Sequence, residues 1–299
     1  MELRQIECFL ACREAGSFTA AARSLNLVQS AVSTSVAKLE RELGERLFDR
    51  TPRGLELTEA GRAIGGPAAA MVRSRREISD AIAAARGEVR GEVMIGNLMN
   101  IRSLDLAAAL ADMHRRYPAL TLQMRQSVSG VSGNIAGLLD GSLDIALLAG
   151  STDEIPGLRL FPITEETVVL CVRPDHPLAG RPFTPDALTG VRFIDYPPGW
   201  GIRSIADERF PLRRTVIEVA DQEFALELAA QDFGVTLVPR STAECWDALI
   251  HLELADGPIP WKLAVAHDAQ RTPSHAARMV IETLRNLESN APAGMPRRM

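Results

Sequence analysis

The stretch Ser17–Gly61 constrains the fold of this 299-residue chain more than any other segment. An alanine-rich run follows a serine there, which predicts a short helix with Ser17 as its N-cap. Asn26 and Leu27 leave room only for a sharp corner between two helices. A second helix is predicted over Gln29–Leu43, because four apolar residues recur at helical spacing and share one face. They are Val32, Val36, Leu39 and Leu43.

The other side of the second predicted helix is polar. A helix advances about 100° per residue, so Ser30 and Thr34 point away from the apolar stripe, and they are flanked by Gln29, Ser33 and Lys38. A helix that enters the major groove of DNA needs small hydroxyl and amide groups near the bases and cations near the phosphates. An ordinary solvated helix face has a similar composition, so the helix pair alone leaves both interpretations open.

Two very short extended runs follow within residues 47–58, on either side of a turn that contains Pro52 and Gly54. Arg50 and Arg53 lie at this turn. The pattern predicts a β-wing beside the second helix, and arginines on such a wing can contact the DNA backbone or the minor groove.

A long helix is predicted from Thr58 to about Arg86. Gly65–Gly66–Pro67 interrupts it, and a proline inside a helix costs about 3 kcal/mol, so we expect the helix either to bend or to begin after Pro67. A polar, glycine-containing hinge follows at residues 86–91. Apolar residues recur every seven positions along the predicted helix, a weak heptad pattern, which by itself leaves both a pairing helix and a solvated spacer helix open. They are Ile64, Met71, Ile78 and Ala85.

From residue 92 onward the apolar pattern changes to that of alternating strands and helices. Strands at residues 92–96, 120–124 and 145–148 with intervening helices form a βαβαβ order, which predicts a parallel sheet covered by helices. A final helix is predicted at residues 273–286, and residues from Ala291 on are expected to be disordered. Further strands are predicted at residues 167–172, 193–196, 233–239 and 263–267.

The charge distribution limits how the chain can bind nucleic acid. The formal net charge is −5, residues 1–90 carry two more basic than acidic residues, and the remainder carries seven more acidic than basic residues. Any DNA contact must therefore depend on the local placement of a few cations. We expect affinity to require two or more heads on one DNA.

The composition also excludes several classes of protein. No run of about 18 apolar residues is present and the N-terminus lacks a signal-peptide core, which predicts a cytoplasmic protein. The four cysteines and five histidines show no zinc-ligand spacing, so neither a metal site nor a cofactor is expected. Catalytic motifs are also missing, since no Ser-His-Asp order, paired carboxylates, Walker loop or G-x-G-x-x-G is found; we therefore do not expect an enzyme.

Five segments together resemble the LysR-type transcriptional regulators, and the resemblance covers nearly the whole chain. They are SFTAAARSL, QSAVSTSVAKLERELGERLFDR, LTEAG, GSLDIALL and RPDHPLA. The resemblance implies an α/β chain with an all-α winged helix-turn-helix N-terminal domain and a C-terminal two-lobed, periplasmic-binding-protein-like (type 2) domain. The expected domains are a DNA-binding head at 1–58, a linker helix for dimerisation at 59–87 and an effector-binding domain at 91–299. In the last domain, lobe 1 is expected at about 91–162 and 267–290, and lobe 2 at about 163–266.

The resemblance, together with the residue pattern, names candidate site residues. Base and phosphate contacts are expected from Gln29, Ser30, Ser33, Thr34, Lys38, Arg50 and Arg53. If the two-lobed fold is right, an effector cleft is lined by loops that follow strands, with candidate residues Asn100, Arg102, Ser103, Ser129, Ser132, Arg203, Gln222 and His267. The helix N-termini and the two arginines in this set favour a small organic anion as effector.

The predicted function is a sequence-specific DNA-binding transcription regulator controlled by a small-molecule effector. Its expected partners are double-stranded DNA, the effector and copies of the same chain, as a homodimer or homotetramer; RNA polymerase is a further candidate partner, and a membrane is not. An alternative is a small-molecule-binding protein whose vestigial head serves as a dimerisation module. Val28 stands where many relatives have serine, and Thr34–Ser35 where many have Arg–Gln, so the base preference of those relatives does not transfer.

Overall fold

The structure, a computed structural model, describes residues 1–52, 54–99, 101–127, 129–150, 154–180 and 182–287. Arg53 and Asn100, both predicted site residues, lie outside the described residues, as does the tail that was expected to be disordered. The chain divides into two compact units, of which the first contains Met1–Gly87 and the second begins at Glu88. Among the described helices, none is long and apolar enough to cross a membrane.

The first unit is a small helical head with a two-stranded wing. The predicted helix corner is confirmed: the Ser17 hydroxyl accepts a hydrogen bond from the Ala20 amide at 3.1 Å, and Asn26 turns the chain with a φ of 52°. The elements are α1 (Leu3–Ala15), α2 (Phe18–Ser24), α3 (Gln29–Leu43), β1 (Phe48–Thr51), β2 (Gly54–Leu57) and α4 (Glu59–Ala85).

The apolar stripe of α3 packs into the core of the head, as predicted for three of its four members. Val32, Val36 and Leu39 are almost fully buried, against a core that includes Phe9 of α1. Each such side chain contributes about 1.5–3 kcal/mol through burial. The prediction for Leu43 is wrong, since its side chain is 42 % exposed. Gly44 ends α3 directly after it in a left-handed conformation, so this last turn faces solvent.

The long predicted helix forms as one α-helix of 27 residues with Pro67 in its interior. A start after Pro67 is therefore wrong. The helix begins early because its first turns are held by the wing: the Thr58 hydroxyl accepts from the Gly61 amide at 3.0 Å and donates to the Arg46 carbonyl at 2.6 Å. Ala68 is buried in the head core one residue beyond the proline, so packing there outweighs the lost backbone hydrogen bond.

The second unit is a mixed α/β structure with two hydrophobic regions. The helices and strands in chain order are β3 (Gly91–Asn97), α5 (Leu106–Arg116), β4 (Leu120–Gln126), α6 (Gly130–Asp140), β5 (Ile145–Gly150), β6 (Leu158–Val172), β7 (Arg192–Asp195), α7 (Gly201–Arg209), β8 (Arg214–Glu218), α8 (Gln222–Ala230), β9 (Thr236–Pro239), α9 (Arg240–Ala243), β10 (Ile250–Leu252), β11 (Ile259–Asp268) and α10 (His275–Arg285). The sequence pattern did not predict α7, β8, α9 or β10.

The βαβαβ prediction is confirmed, because β3 pairs in parallel with both β4 and β5. Alternate residues of these strands enter two hydrophobic clusters on opposite faces of the sheet: Val93 and Ile95 belong to one, and Met94 to the other. Helices α5 and α10 supply Met113 and Val280 to the first cluster. The alternation arises because successive side chains of a strand point to opposite faces.

Two long strands carry the same sheet from one lobe of this unit into the other. Strand β6 has 15 residues, of which only the second half, Thr167–Val172, was predicted. It runs antiparallel to β11, which in turn pairs with β5 of the first lobe. Beyond this stretch β6 pairs with β9 and β10 of the second lobe. The second lobe buries its own core around Phe193 and Tyr196.

Gly61 allows α4 to lie directly against the wing. A Cβ atom at this position would lie 2.2 Å from the carbonyl oxygen of Leu47 and 2.9 Å from a side-chain carbon of Leu57. The nearest obstacle is backbone and cannot rotate away. We therefore expect Gly61→Ala to destabilise the head by about 1–3 kcal/mol through overpacking, measured as a lower calorimetric transition temperature.

Gly66→Ala is the matched control, because it lies in the same helix and an added Cβ meets nothing closer than 3.8 Å. Alanine has a helix propensity about 1 kcal/mol better than glycine, so this variant should be neutral or more stable. Equal transition temperatures for the two variants would contradict the close-approach explanation.

Candidate functional site

The outward side of α3 presents a row of hydrogen-bonding side chains to solvent. Gln29, Ser30, Thr34 and Lys38 are exposed, whereas Ser33 is half-buried. The Ser33 hydroxyl donates to the Ser30 carbonyl at 3.1 Å, which leaves its oxygen lone pairs free to accept from a base or a water. The five predicted residues of α3 therefore lie on one continuous surface, opposite the buried Val32–Leu39 stripe.

The wing places Arg50 next to the first helix pair. Strand β1 pairs antiparallel with β2, Arg50 opposite Leu55, and the Leu55 amide donates to the Gly16 carbonyl at 2.8 Å. The Arg50 guanidinium carbon lies 5.3 Å from the centroid of the Phe18 ring, a cation–π distance. This contact orients an exposed cation beside the start of α2. Arg53, the other predicted wing residue, lies outside the described residues.

The second unit contains a largely apolar cavity, with about 50 Å³ of room for the centre of a water-sized molecule. The empty space around it, which includes open solvent, is about 630 Å³. Its walls come from the β3–α5 loop, the N-termini of α6 and α7, and the two crossing strands β6 and β11. The apolar lining includes Leu98, Ile101, Ile202 and Leu263, with the indoles of Trp200 and Trp261.

Three of the predicted effector residues line this cavity: Arg102, Ser103 and Gln222. The Arg102 guanidinium forms an ion pair with Glu223 at the N-terminus of α8. The Gln222 amide oxygen accepts from the Thr242 hydroxyl at 3.4 Å. Arg102 therefore brings its positive charge to the cavity already partnered by a carboxylate.

Arg203 does not lie in the cavity lining, contrary to the sequence expectation. Its guanidinium contacts the Asp207 carboxylate at 2.9 Å and that of Glu218 at 2.6 Å, and it donates to the Tyr196 carbonyl at 2.8 Å. These partners lie up to fifteen residues away in sequence. The expectation of an anionic effector rested on helix N-termini and on Arg102 and Arg203, and carboxylates engage both arginines.

Ser129 and Ser132 belong to the first turn around α6 and are used locally. Both the amide and the hydroxyl of Ser132 donate to the Gly199 carbonyl, at 3.1 and 3.2 Å, and the Ser129 amide donates to the Ser127 hydroxyl at 3.1 Å. Ser132 lines a neighbouring, more open pocket. These bonds fasten the loop that carries Trp200 to the start of α6.

His267 is placed in a different pocket from Arg102, so the two do not share one site. It is buried at the end of β11, where its Nδ1 lies 2.7 Å from the Asp268 carbonyl oxygen. Its ring stacks on Phe161 with centroids 5.7 Å apart. The sequence pattern placed it at a strand end correctly, but not at the cavity.

Sequence reasoning did not single out five side chains that the structure places in the cavity wall: Asn97, Glu166, Trp200, Ser241 and Trp261. Asn97 and Trp200 lie within loops that were predicted to line a cleft. The other three come from the crossing strands and from α9, and Trp261 is the direct antiparallel partner of Glu166. No local motif marks that pairing.

Trp200 is held in a defined orientation. Its ring stacks on Tyr196 with centroids 6.0 Å apart and an angle of 15° between the planes. On another side it lies against Gly130, whose added Cβ would be 3.0 Å from the indole. Gly130 also has a φ of 57°, a conformation that disfavours other residues. The indole is therefore a rigid part of the cavity wall.

Comparison with known proteins agrees with both parts of this architecture. Residues 3–62 match the family model described as bacterial regulatory helix-turn-helix protein, lysR family. Residues 86–288 match the model described as LysR substrate binding domain.

Individual relatives cover most of the chain. A probable hydrogen peroxide-inducible genes activator of Mycobacterium avium is 30% identical over 263 residues, which are 85% of this chain and 83% of the relative. Among solved structures, a full-length OxyR variant from Pseudomonas aeruginosa matches with a TM-score of 0.71 at 20% identity and covers 99% of both chains. Full-length CbnR in complex with its target DNA matches with a TM-score of 0.60 at 23% identity, over 95% of this chain and 99% of that one. The chain thus belongs to the LysR family of bacterial helix-turn-helix transcriptional regulators.

Proposed function

We propose that this protein binds specific DNA through α3 and its wing, as paired subunits, under the control of a small molecule bound in the cavity of its second unit. The observation that carries the proposal is the two-sided character of α3. One side is locked in the core by Val32, Val36 and Leu39, and the other exposes amide, hydroxyl and ammonium groups. A major-groove helix requires this combination.

In this proposal the residues of the head have distinct roles. Gln29, Ser30, Ser33 and Thr34 read base edges through hydrogen bonds, while Lys38 and Arg50 hold phosphates or the minor groove. Arg53 is proposed as a third cation from its position in the sequence. CbnR, which shares the fold, was solved with its target DNA, and this supports the assignment at the level of the fold.

Pairing of subunits is supported by the exposed side of α4. Ile78 and Ile82 are 65 % and 54 % exposed, and Met71 lies seven residues before Ile78 with 39 % exposure. Three apolar side chains at heptad-like spacing on one helix favour association with an equivalent helix. Two such dimers would form the homotetramer, and pairing compensates for the weakly basic head because two heads then share one DNA.

Effector control is supported by the cavity and its position. It lies where β6 and β11 pass between the two lobes of the second unit. A ligand that contacts residues of both lobes can favour one lobe arrangement over another, which is how binding energy shifts a conformational equilibrium. We infer that this shift changes the spacing of the DNA-reading heads.

Peroxide sensing, suggested by the name of the Mycobacterium avium relative, is not favoured at Cys171 or at Cys12. A sensor cysteine reacts as an accessible thiolate. Cys171 is fully buried, and burial raises the pKa of its thiol. Burial and the nearby Cys8 raise the pKa of Cys12 to about 12, so both thiols stay protonated at neutral pH.

The head assignment predicts how DNA binding responds to lost cations. Lys38→Ala and Arg50→Ala should each weaken binding to the protein's own promoter fragments, because each removes one phosphate contact. The slope of log affinity against log salt should fall by about 1 for each variant, measured by fluorescence anisotropy over a salt series.

Arg4→Ala serves as the matched control, since Arg4 is a half-exposed cation on α1 that is paired with Glu7. It should leave affinity and salt slope unchanged. If wild-type protein binds no promoter fragment even at low salt, the alternative of a vestigial head replaces this proposal.

The exposed side of α4 predicts the oligomeric state. Ile78→Glu combined with Ile82→Glu should lower the assembly mass, because four charges would meet in each helix pair, and light scattering after gel filtration would detect it. Leu212→Glu, at an apolar residue with 68 % exposure outside α4, should leave the mass unchanged. An unaltered mass for the double variant, with a normal helical circular dichroism signal, would count against pairing through α4.

The buried thiols predict insensitivity to peroxide. Brief treatment of the full chain with hydrogen peroxide should cause no change in DNA affinity through Cys171 or Cys12, because neither presents a thiolate. A change in affinity that Cys171→Ala abolishes would reverse this conclusion.

A further inference from the structure

Two side-chain atoms in the cavity wall are shielded from solvent and form no hydrogen bond to any described part of the chain. They are the Asn97 Oδ1 acceptor and the Trp200 Nε1 donor. Leaving buried polar atoms unsatisfied costs free energy, so both atoms are candidates for hydrogen bonds to a bound group. Because one is an acceptor and the other a donor, a ligand that satisfied both would need one donor and one acceptor.

The Trp200 ring and the backbone of Asn97 are both held in place. The Trp200 indole is fixed by its stack on Tyr196 and by Gly130. The backbone of Asn97 is anchored at the end of β3, where its carbonyl accepts from the Asn134 amide at 3.2 Å. The Trp200 donor is therefore preorganised, and a ligand that binds it loses little by ordering the indole.

The charged side chains of the wall do not favour a simple anion. Arg102 and Glu166 are the charged residues among the described lining residues, and Arg102 already pairs with Glu223. The Glu166 carboxylate accepts from the Ser241 amide at 2.7 Å and from its hydroxyl at 3.0 Å, both neutral donors. The one guanidinium and the two carboxylates together leave one negative charge. A carboxylate buried there would meet net repulsion rather than a cation.

The apolar part of the lining favours ligands of a particular shape. Two indoles, Trp200 and Trp261, and the branched side chains of Ile101, Ile202 and Leu263 form part of the apolar wall. Flat aromatic walls favour flat apolar ligands through stacking and burial of apolar surface.

From these features we propose that the effector is a planar, mainly apolar molecule without negative charge, bearing an acceptor for Trp200 Nε1 and a hydroxyl or amide donor for Asn97 Oδ1. The inference rests on the proposed function in taking this cavity as the effector site. It replaces the organic anion expected from the sequence.

Three small probes of similar shape distinguish the contributions of the hydrogen-bond acceptor, the donor and the negative charge. Benzamide offers a neutral acceptor and donor, acetophenone offers the acceptor alone, and benzoate offers a charged acceptor. Titration calorimetry of the full chain should rank benzamide first and benzoate last. Trp200→Phe, which keeps the stack on Tyr196, should weaken benzamide and acetophenone by about tenfold. Asn97→Leu should weaken benzamide by a similar factor and leave acetophenone unaffected.

Trp246→Phe is the control, because Trp246 is buried in the second lobe and does not line the cavity. It should not alter any of the three affinities. If Trp200→Phe melts early, the Asn97→Leu series decides alone. Benzoate binding as tightly as benzamide, equal benzamide affinity in wild type and Asn97→Leu, or no benzamide binding up to its solubility limit would each overturn the inference.

DNA binding measured on the same preparations keeps the two proposals separate. If the protein binds promoter DNA but the three probe affinities do not rank as expected, only the ligand inference is contradicted. Protein that follows the expected probe order but binds no DNA contradicts the proposed regulator and leaves the ligand chemistry supported.

Discussion

The antiparallel pairing of β6 with β11 is the interaction on which the second unit depends. The pair extends over the whole of β11, from Ile259 to Asp268, with one irregularity after Leu263. Near one end β5 adds to β11, and near the other β9 adds to β6. Both lobes are therefore built on one hydrogen-bonded ladder, and the cavity residues Glu166 and Trp261 face each other within it. A change in the relation of the lobes must pass through this ladder.

In the head, likewise, the position of the functional surface depends on the residues that are buried behind it. The α3 stripe is held against Phe9, and the wing is attached to Gly16 and to the start of α4. The exposed residues of α3 make few bonds of their own. The packed core behind α3 fixes the positions of these side chains, so their polar groups can bind a partner without a loss of stability.

Local periodicity accounts for most of what could be predicted. The bounds of α3 and the existence of the wing followed from apolar spacing and a Pro/Gly turn, since short-range sterics decide both. The first half of β6 was missed because it is only partly buried there and lacks a regular alternation. Arg102, Ser103 and Gln222 were predicted as effector residues and are found in the cavity wall. Arg203 and His267 were also predicted but lie outside this wall, because Arg203 pairs with Glu218 and the His267 ring stacks on Phe161.

The sequence by itself determined the two-part organisation, the family and the polar side of the DNA-reading helix. Each of these depends on contiguous residues, and in the helix their spacing decides which side chains share a face. Only the tertiary structure decided which of the predicted charged side chains reach the cavity. Arg203 and Arg102 look alike as sequence letters, yet one is enclosed by Asp207 and Glu218 and the other reaches the cavity as the partner of Glu223. Likewise, Asn97 and Trp200 became informative only as unsatisfied atoms. Electrostatic and hydrogen-bond partners act through space, and the distances between them are set by the fold rather than by position along the chain.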